Sequence, residues 1–483
     1  MSPIQQMLLG VGGAEDDVFQ ARVWQSAASL GSGNWMIRGA PSNYFQYSDG
    51  SYLLSAKNSN VTNIQTDNSS TMSMCITNDT ATGFAKSVNH WGTNAGTDYC
   101  GAYPYRGSRS SGKDMTIFPQ QGYYYAWQGS GNNRWSRWIM IQDSLSNNCA
   151  DLKKYNWTYS GYYTDWGFSF RTKDGTDDDY WIVVVDYASS PSSRSNVRWG
   201  KMNITSSSLS LTNMRRLGGD SSNGSSPETW TSDDSHMYIC GLNMESSRSK
   251  PFIMKCTDTS IVWYKEHYTS SQNNYVGGVC EVDSSGNVYY VSKMRKNNAW
   301  EPVLIKLNSS GTVQWSLTWE ANAEPFGSAI NGSKLYVCWR YSNNIIISEH
   351  DTSDGSINWQ NKIDIATGAY QIESNSGAMK LNKDNNLDIY LKIQDSASVI
   401  YGDGCGLFSG IPADGSVGNG KIGSIITYAS TTDISLSSHT SYSTSNSYSQ
   451  NFSTVSANSW TNYTGNLIGS NNTDSQLTNI NDN

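Results

Sequence analysis

The feature that most constrains this chain is an internal repeat. Pro251-Phe252-Ile253-Met254-Lys255-Cys256-Thr257 recurs 51 residues later as Pro302-Val303-Leu304-Ile305-Lys306-Leu307-Asn308. His236-Met237-Tyr238-Ile239-Cys240 recurs at the same offset as Asn287-Val288-Tyr289-Tyr290-Val291, and Ile261-Val262-Trp263 is matched by Val313-Gln314-Trp315. A period of this kind means that each unit buries its apolar faces only against its neighbours.

The unit has a simple grammar. A small-residue lead-in (Gly277-Gly278-Val279-Cys280, or Phe326-Gly327-Ser328-Ala329) precedes an Asp/Asn/Gly turn and an apolar strand. A variable polar loop, a third strand, a Ser/Gly turn and a strand often ending in Trp complete it, as in Lys306 to Trp319. β-Branched and aromatic runs bounded by Asn, Ser and Gly are strand signals. Four short strands in roughly 45–55 residues mark a β-propeller blade. Ring closure suits such strands because it removes long exposed edges.

Further copies follow in both directions. Lys334-Leu335-Tyr336-Val337-Cys338, Ile345-Ile346-Ile347-Ser348, Gly355-Ser356-Ile357-Asn358-Trp359 and Leu387-Asp388-Ile389-Tyr390 continue the series. Upstream, Trp181-Ile182-Val183-Val184-Val185 pairs with Lys201-Met202-Asn203, and Leu209-Ser210-Leu211 follows. The signal weakens before residue 163. Tyr52-Leu53-Leu54 and Trp138-Ile139-Met140-Ile141 read as second strands. Asn63-Ile64-Gln65 and Thr71-Met72-Ser73-Met74 read as third and fourth strands, and Gly, Tyr and Ser obscure 90–125.

The expected fold is therefore all-β, a β-propeller of about seven four-stranded blades with extended N- and C-terminal arms; six or eight blades stay open. The expected divisions are an arm over 1–20, a β-rich region of first blades over 21–162, clear blades over 163–430 and a Ser/Thr/Asn-rich arm over 431–483. A separate β-rich N-terminal domain beside a smaller propeller is the rival arrangement.

Composition agrees. Hydrophobic residues make up 37% and charged residues 15%, with 18 Trp and 30 Tyr, so aromatic side chains must build the cores. A net charge of −8 argues against a nucleic-acid partner, which would call for a basic face. No run approaches the roughly 18 apolar residues of a membrane span, so no membrane partner is expected. Met1 to Asp17 lacks the basic start and long apolar stretch of a signal peptide. None of the eight cysteines forms a CxxC pair, and several sit in apolar runs such as Met237 to Cys240 and Leu335 to Cys338. They read as buried free thiols of a chain folded in a reducing compartment.

No catalytic constellation emerges. His90, His236, His267, His350 and His439 show no HxH or HExxH spacing, and neither a phosphate loop nor a Gly-x-Ser-x-Gly elbow is present. Lys173-Asp174-Gly175-Thr176-Asp177-Asp178-Asp179 lacks the spacing of a calcium loop and reads as a solvated hairpin between Phe170 and Trp181. The expectation is a non-enzyme with no catalytic, cofactor-binding or metal residue and no cofactor. A polysaccharide depolymerase is the enzymatic alternative.

Asp354-Gly355-Ser356-Ile357-Asn358-Trp359 resembles the quinoprotein-like repeats, whose blades often end in Asp-Gly-x-x-x-Trp. That likeness speaks to fold and not to chemistry. Quinoprotein dehydrogenases use a vicinal disulfide, and this chain has no Cys-Cys pair. The sialidase turn Ser-x-Asp-x-Gly-x-x-Trp is one residue short between Thr352 and Trp359, and no arginine triad stands out.

The opening Met1-Ser2-Pro3-Ile4-Gln5-Gln6-Met7-Leu8-Leu9-Gly10-Val11-Gly12-Gly13-Ala14 resembles that of virion proteins from tailed phages of aquatic environments. The Ser/Thr-rich end, punctuated by Leu436, Tyr442, Tyr448, Phe452, Val455, Trp460, Tyr463, Leu467 and Leu477, is similar to theirs as well. The resemblance implies a bacteriophage virion structural protein, tail-associated or fibre-type, acting in assembly and host-surface attachment. The N-terminal arm would dock onto other virion proteins. Repeated copies would form a homo-oligomer, and a host-surface glycan or protein would be the ligand. The protein would fold in the bacterial host cytoplasm and reside in the virion. A capsid-surface decoration protein and a carbohydrate-binding or depolymerising propeller are the alternatives. The C-terminal segment is expected to be either a polar tail or an arm whose aromatics anchor on a neighbouring subunit.

Overall fold

The computed structural model describes residues 224–438, short connections excepted, and elsewhere Phe19 and the strands given below. All described secondary structure is strand. The described strands form seven sheets, numbered here in chain order. Sheet one is built on Tyr52–Asn60, Thr71–Thr77 and Phe84–Asn89, with Trp35–Ile37 and Tyr44–Gln46 pairing the first of these. Sheet two contains Tyr105–Ser108, Asp114–Tyr124, Arg134–Gln142 and Asp151–Trp157. Sheet three has Tyr162–Tyr163 and Ser169–Thr172 on Asp179–Ala188, then Ser195–Ile204 and Leu209–Leu217.

Sheets four to six repeat one antiparallel meander. Sheet four runs Gly224–Ser232, Met237–Glu245, Arg248–Cys256, Ile261–Tyr268; sheet five runs Val279–Val282, Val288–Lys296, Ala299–Leu307, Val313–Thr318. Sheet six runs Ala323–Asn331, Lys334–Tyr341, Asn344–Asp351, Ile357–Ile365, and sheet seven Tyr370–Leu381, Leu387–Asp395, Asp403–Ile411. The first strands of sheets four to seven lie side by side, a propeller arrangement of four successive blades.

The repeat holds at the level of residue pairs. Met237 faces Cys256 as Val288 faces Leu307, one period on. A register shift recurs where the third strand meets the fourth, at Lys255/Cys256, Lys306/Leu307 and Glu349/His350. A second recurs in the first strand at Pro227/Thr229 and Pro325/Gly327, where a bulge tolerates a residue without an N–H.

Two assignments upstream shift by one strand. Thr71–Thr77 is the third strand of sheet one, and Trp138 to Ile141 lies in the third strand of sheet two. The true second strand of sheet two, Asp114–Tyr124, carries Pro119-Gln120-Gln121-Gly122 and so breaks the apolar pattern that betrays the other second strands. Asn63 to Gln65 lies outside the described residues.

Packing explains the apolar runs. Second and third strands are covered on both faces, so Ile345, Ile346 and Ile347 are all buried, as are Val303, Leu304 and Ile305. Alternate residues of one strand serve two seams. Tyr238 and Cys240 pack towards sheet five, whereas Met237 and Ile239 join Trp181, Trp199 and Trp230 towards sheet three. Each such large side chain contributes roughly 1.5–3 kcal/mol of burial. Cys240, Cys256, Cys280 and Cys338 are buried free thiols, and burial pushes Cys256 and Cys338 well above the usual thiol range.

Both chain ends join the sheets. Gln20–Gln25 pairs antiparallel with Asp403–Ile411 as the outermost strand of sheet seven. Just before it, Phe19 is buried against Tyr428, ring centroids 5.1 Å apart. The C-terminal segment then retraces the sheets in reverse. Ile426–Ser430 pairs with the fourth strand of sheet six and carries Gly420–Ile422 at the edge, Ser437–Ser438 pairs with the fourth strand of five and Ser443–Ser445 with that of four. Ser453–Thr454, Trp460–Asn462 and Ile468–Ser470 pair with sheets three, two and one. The described strands of the arm over 431–483 thus pair with the chain's own sheets.

Candidate functional site

In an antiparallel meander the first and third connections emerge at one end of the blade and the second at the other. The first kind of end is formed by tight turns. In sheet four, Asp233 Oδ1 accepts from the backbone N–H of Ser235 (2.8 Å) and His236 (2.7 Å), and Oδ2 accepts from the Tyr238 hydroxyl (2.7 Å). In sheet five, Asp283 does the same for Ser285, Asn287 and the Tyr289 hydroxyl. In sheet seven, Asn382 caps Asp384 and Asn386 and donates to Asp388. Burial alone would raise the carboxyls of Asp233 and Asp283, but these hydrogen bonds outweigh it and hold both below the ordinary range. They are fixed caps, not proton carriers.

The turns that follow the third strands latch one sheet to the next. Gly311, Gly355 and Gly415 have φ of 76°, 79° and 79°, a conformation that favours glycine. Each lies on the indole of the preceding sheet. A Cβ would fall 2.8 Å from Trp263 at Gly311, 3.0 Å from Trp315 at Gly355 and 2.6 Å from Trp359 at Gly415. The Trp263 N–H donates to Ser309 O (3.1 Å), while the Lys306 ammonium reaches Thr352 O (2.8 Å). This accounts for the Gly and Trp of the repeat, which meet across the seam.

Trp359 is held from beneath by a buried carboxylate. Glu349 accepts from the Trp359 N–H (2.8 Å), Asn358 Nδ2 (2.9 Å) and Lys334 Nζ (3.1 Å). It also pushes the Tyr336 hydroxyl, already raised by burial, up to about 12. Beside it, the Trp339 N–H donates to Ser348 Oγ (3.0 Å), and Ser348 Oγ lies 2.7 Å from His350 Nε2. His350 Nδ1 lies 3.0 Å from Gly355 O, which can only accept, so Nδ1 carries the proton and Nε2 accepts from Ser348. Burial lowers the His350 pKa to about 4. The Ser348–His350 pair is fully buried, and its polarised chain ties down the Gly355 turn.

The opposite end carries a charge cluster that joins two sheets. Glu324, at the start of the first strand of sheet six, faces Arg340 across the ladder and reaches Lys293 of sheet five. Its two oxygens accept from Lys293 Nζ (2.7 Å) and Arg340 Nη1 (2.9 Å). The Lys293 side chain is 4% exposed and that of Glu324 18%, so the site is shielded but open at one side. Burial would raise the Glu324 carboxyl, yet the two cations hold it below its usual value. Below this cluster, Ser328 donates to Glu281 (3.1 Å) between the first strands of sheets six and five. The arrangement joins two blades by charge and leaves the Arg340 face half exposed for a polar contact.

Of the residues weighed from sequence, His236 lies 3.2 Å from Asp233 at the turn end and His350 is in the core. His267 is in the fourth strand of sheet four. Thr172 and Tyr180 close the acidic hairpin as expected, whereas 173–178, His90 and His439 lie outside the described residues. Among the described residues no group of three or more His, Cys, Asp or Glu converges as a metal site. The Lys293–Glu324–Arg340 trio was not visible in the sequence, since its members come from three strands and share no motif.

No family model matches this chain, and no curated protein sequence does. Among solved structures it is similar to the NanB sialidase from Streptococcus pneumoniae, at 10% identity over 80% of this chain and 70% of that one, TM-score 0.40. It is similar to the polysaccharide lyase Uly1, at 10% identity over 80% and 97%, TM-score 0.44. The β-propeller domain of Vanderwaltozyma polyspora Nup133 matches at 9% identity over 80% and 100%, TM-score 0.33. No residue role is carried over from any of them.

Proposed function

We propose that this chain is a structural protein of a tailed-bacteriophage virion, tail-associated or fibre-type, acting in assembly and host-surface attachment. Its seven sheets are read as seven blades of one closed ring. The observation that carries the reading is the 1–14 string, which resembles the shared opening of such virion proteins. Support comes from where that string attaches. Phe19, just after that string, is buried at the seam of sheets six and seven, and Gln20–Gln25 is the outermost strand of sheet seven. A docking peptide on a rim suits edge-on display of a rigid body on a platform.

Two further features fit a display role. The described acidic and histidine side chains with resolved contacts serve as turn caps, seam ties and core links. The cluster at Arg340 and Glu324 lies on the end away from the tight turns, where a host-surface glycan or protein would be met. Repeated copies on a symmetric platform would multiply weak contacts there.

Deletion of residues 1–14 tests the reading in phage grown on cells supplying only the shortened chain. Loss of the protein from purified particles, with the body still folded in the lysate, is the expected result. Retention on particles would show that the N-terminal resemblance misled.

A further inference from the structure

Every described sheet ends in an outer strand drawn from outside its own meander. On sheet seven it is Gln20–Gln25. On sheet six the hairpin of Gly420–Ile422 and Ile426–Ser430 supplies the edge, and on sheets five to one it is supplied, in reverse order, by the segment that continues to Ser470. An outer strand exposes a row of unpaired N–H and C=O groups that will pair with any extended chain. We propose that the outer edges of sheets one to six form a single strand-accepting rim. Its ligand is the chain's own Ser/Thr-rich C-terminal segment, which engages last and in cis and clasps the completed ring.

The start of the segment is buckled by side chains. Ile434 is 3% exposed and inserts into the core between sheets five and six, with Trp319, Trp339 and Ile346. Gln360 grips its backbone twice, Nε2 donating to Ile434 O (3.0 Å) and Oε1 accepting from Ile434 N–H (2.9 Å). Thr431 N–H donates to Gln360 O (3.1 Å), and Lys362 lies 3.6 Å from Asp433. Beyond this buckle the contacts become short: two or three residues pair on each of sheets five to one. A pairing of that length is weak alone. Tethered behind Ile434, each presents the next at high effective concentration, so the contacts act together.

Order follows from the chain. None of these pairings can exist before the sheet that accepts it, and the segment is synthesised after every strand of the meanders it pairs with. The reversed sequence means that each pairing delivers the segment to the adjacent sheet. The acceptor edges fit an extended, uncharged, Ser/Thr-rich strand, and the nearest such strand is covalently attached.

The test uses the full chain. Thr318 faces Ser437, and Tyr268 faces Ser443. The double variants Thr318→Cys/Ser437→Cys and Tyr268→Cys/Ser443→Cys are oxidised gently and read by intact mass and non-reducing gel. Both should give a cross-linked monomer whose half-life under thermolysin exceeds that of the reduced form by about tenfold or more. Disulfide-linked dimers would show that the rim takes the segment of a second copy, and no cross-link would show that it takes none; either overturns the proposal. A cross-linked monomer with an unchanged half-life would overturn the clasp. In a second variant, Gln360→Ala with Ile434→Asp, the segment beyond residue 437 should be cleaved first while the tryptophan fluorescence of the ring persists. Wild-type protection of that segment would refute the buckle.

Discussion

Substituting Gly415 isolates the seam latch. Gly415 and Gly410 share a φ of 79°, but their surroundings differ. A Cβ on Gly410 meets nothing within 4 Å, whereas one on Gly415 lands 2.6 Å from Trp359 Cγ and 2.8 Å from two further ring atoms. Ala at either site incurs left-handed strain of roughly 1–2 kcal/mol, offset by about 0.4–1 kcal/mol from a stiffer unfolded chain. Only Gly415→Ala adds overpacking, about 1–3 kcal/mol. The ring cannot step aside cheaply, because its N–H is held by Glu349 at 2.8 Å. Gly410→Ala should therefore lose about 1 kcal/mol and Gly415→Ala about 2–4 kcal/mol. Urea melts followed by tryptophan fluorescence give the comparison. Trp359→Leu should make room, so the double variant should lose less than the two single variants together. Equal losses at the two glycines would refute the latch.

Three other expectations follow from single side chains. His350 has a folded pKa near 4 against an ordinary 6.5, so between those pH values the unfolded chain binds a proton that the folded chain does not. Stability should fall as pH drops through that window, by about 3 kcal/mol in total, and His350→Gln should flatten the slope of urea midpoint against pH; parallel slopes would contradict the assignment. Glu324→Gln removes the carboxylate from a lysine that is 4% exposed, and should cost about 2–4 kcal/mol, read as a melting-temperature drop that added salt leaves largely intact. Trp263→Phe keeps the ring against Gly311 but loses the bond to Ser309 O, and should cost only about 1 kcal/mol in the same melts.

The blades were legible because second and third strands are buried on both faces. Runs such as Ile345 to Ile347 and Val303 to Ile305 then carry a signal that tolerates loop variation, and the 51-residue offset holds through to the paired residues. The same reasoning slipped at sheet two, where Gln, Gly and Pro interrupt a paired strand and leave no apolar run to follow. The Gly and Trp of the repeat were visible as a motif, but their action across the seam was not, since spacing within one unit says nothing of which neighbour it touches. The C-terminal belt was least legible. Strands of two or three Ser and Thr residues have no periodicity, and their pairing is specified by the edges they meet. The Lys293–Glu324–Arg340 trio, drawn from two sheets, is likewise a product of the fold.

The most direct test of the account is to place the protein on the particle. Gold-labelled antibody raised against residues 163–430 would be imaged by electron microscopy on intact phage particles carrying this chain. The account predicts label clustered at the tail. Label spread over the head would make the protein a capsid decoration, and unlabelled particles with free protein in the lysate would contradict a virion role altogether.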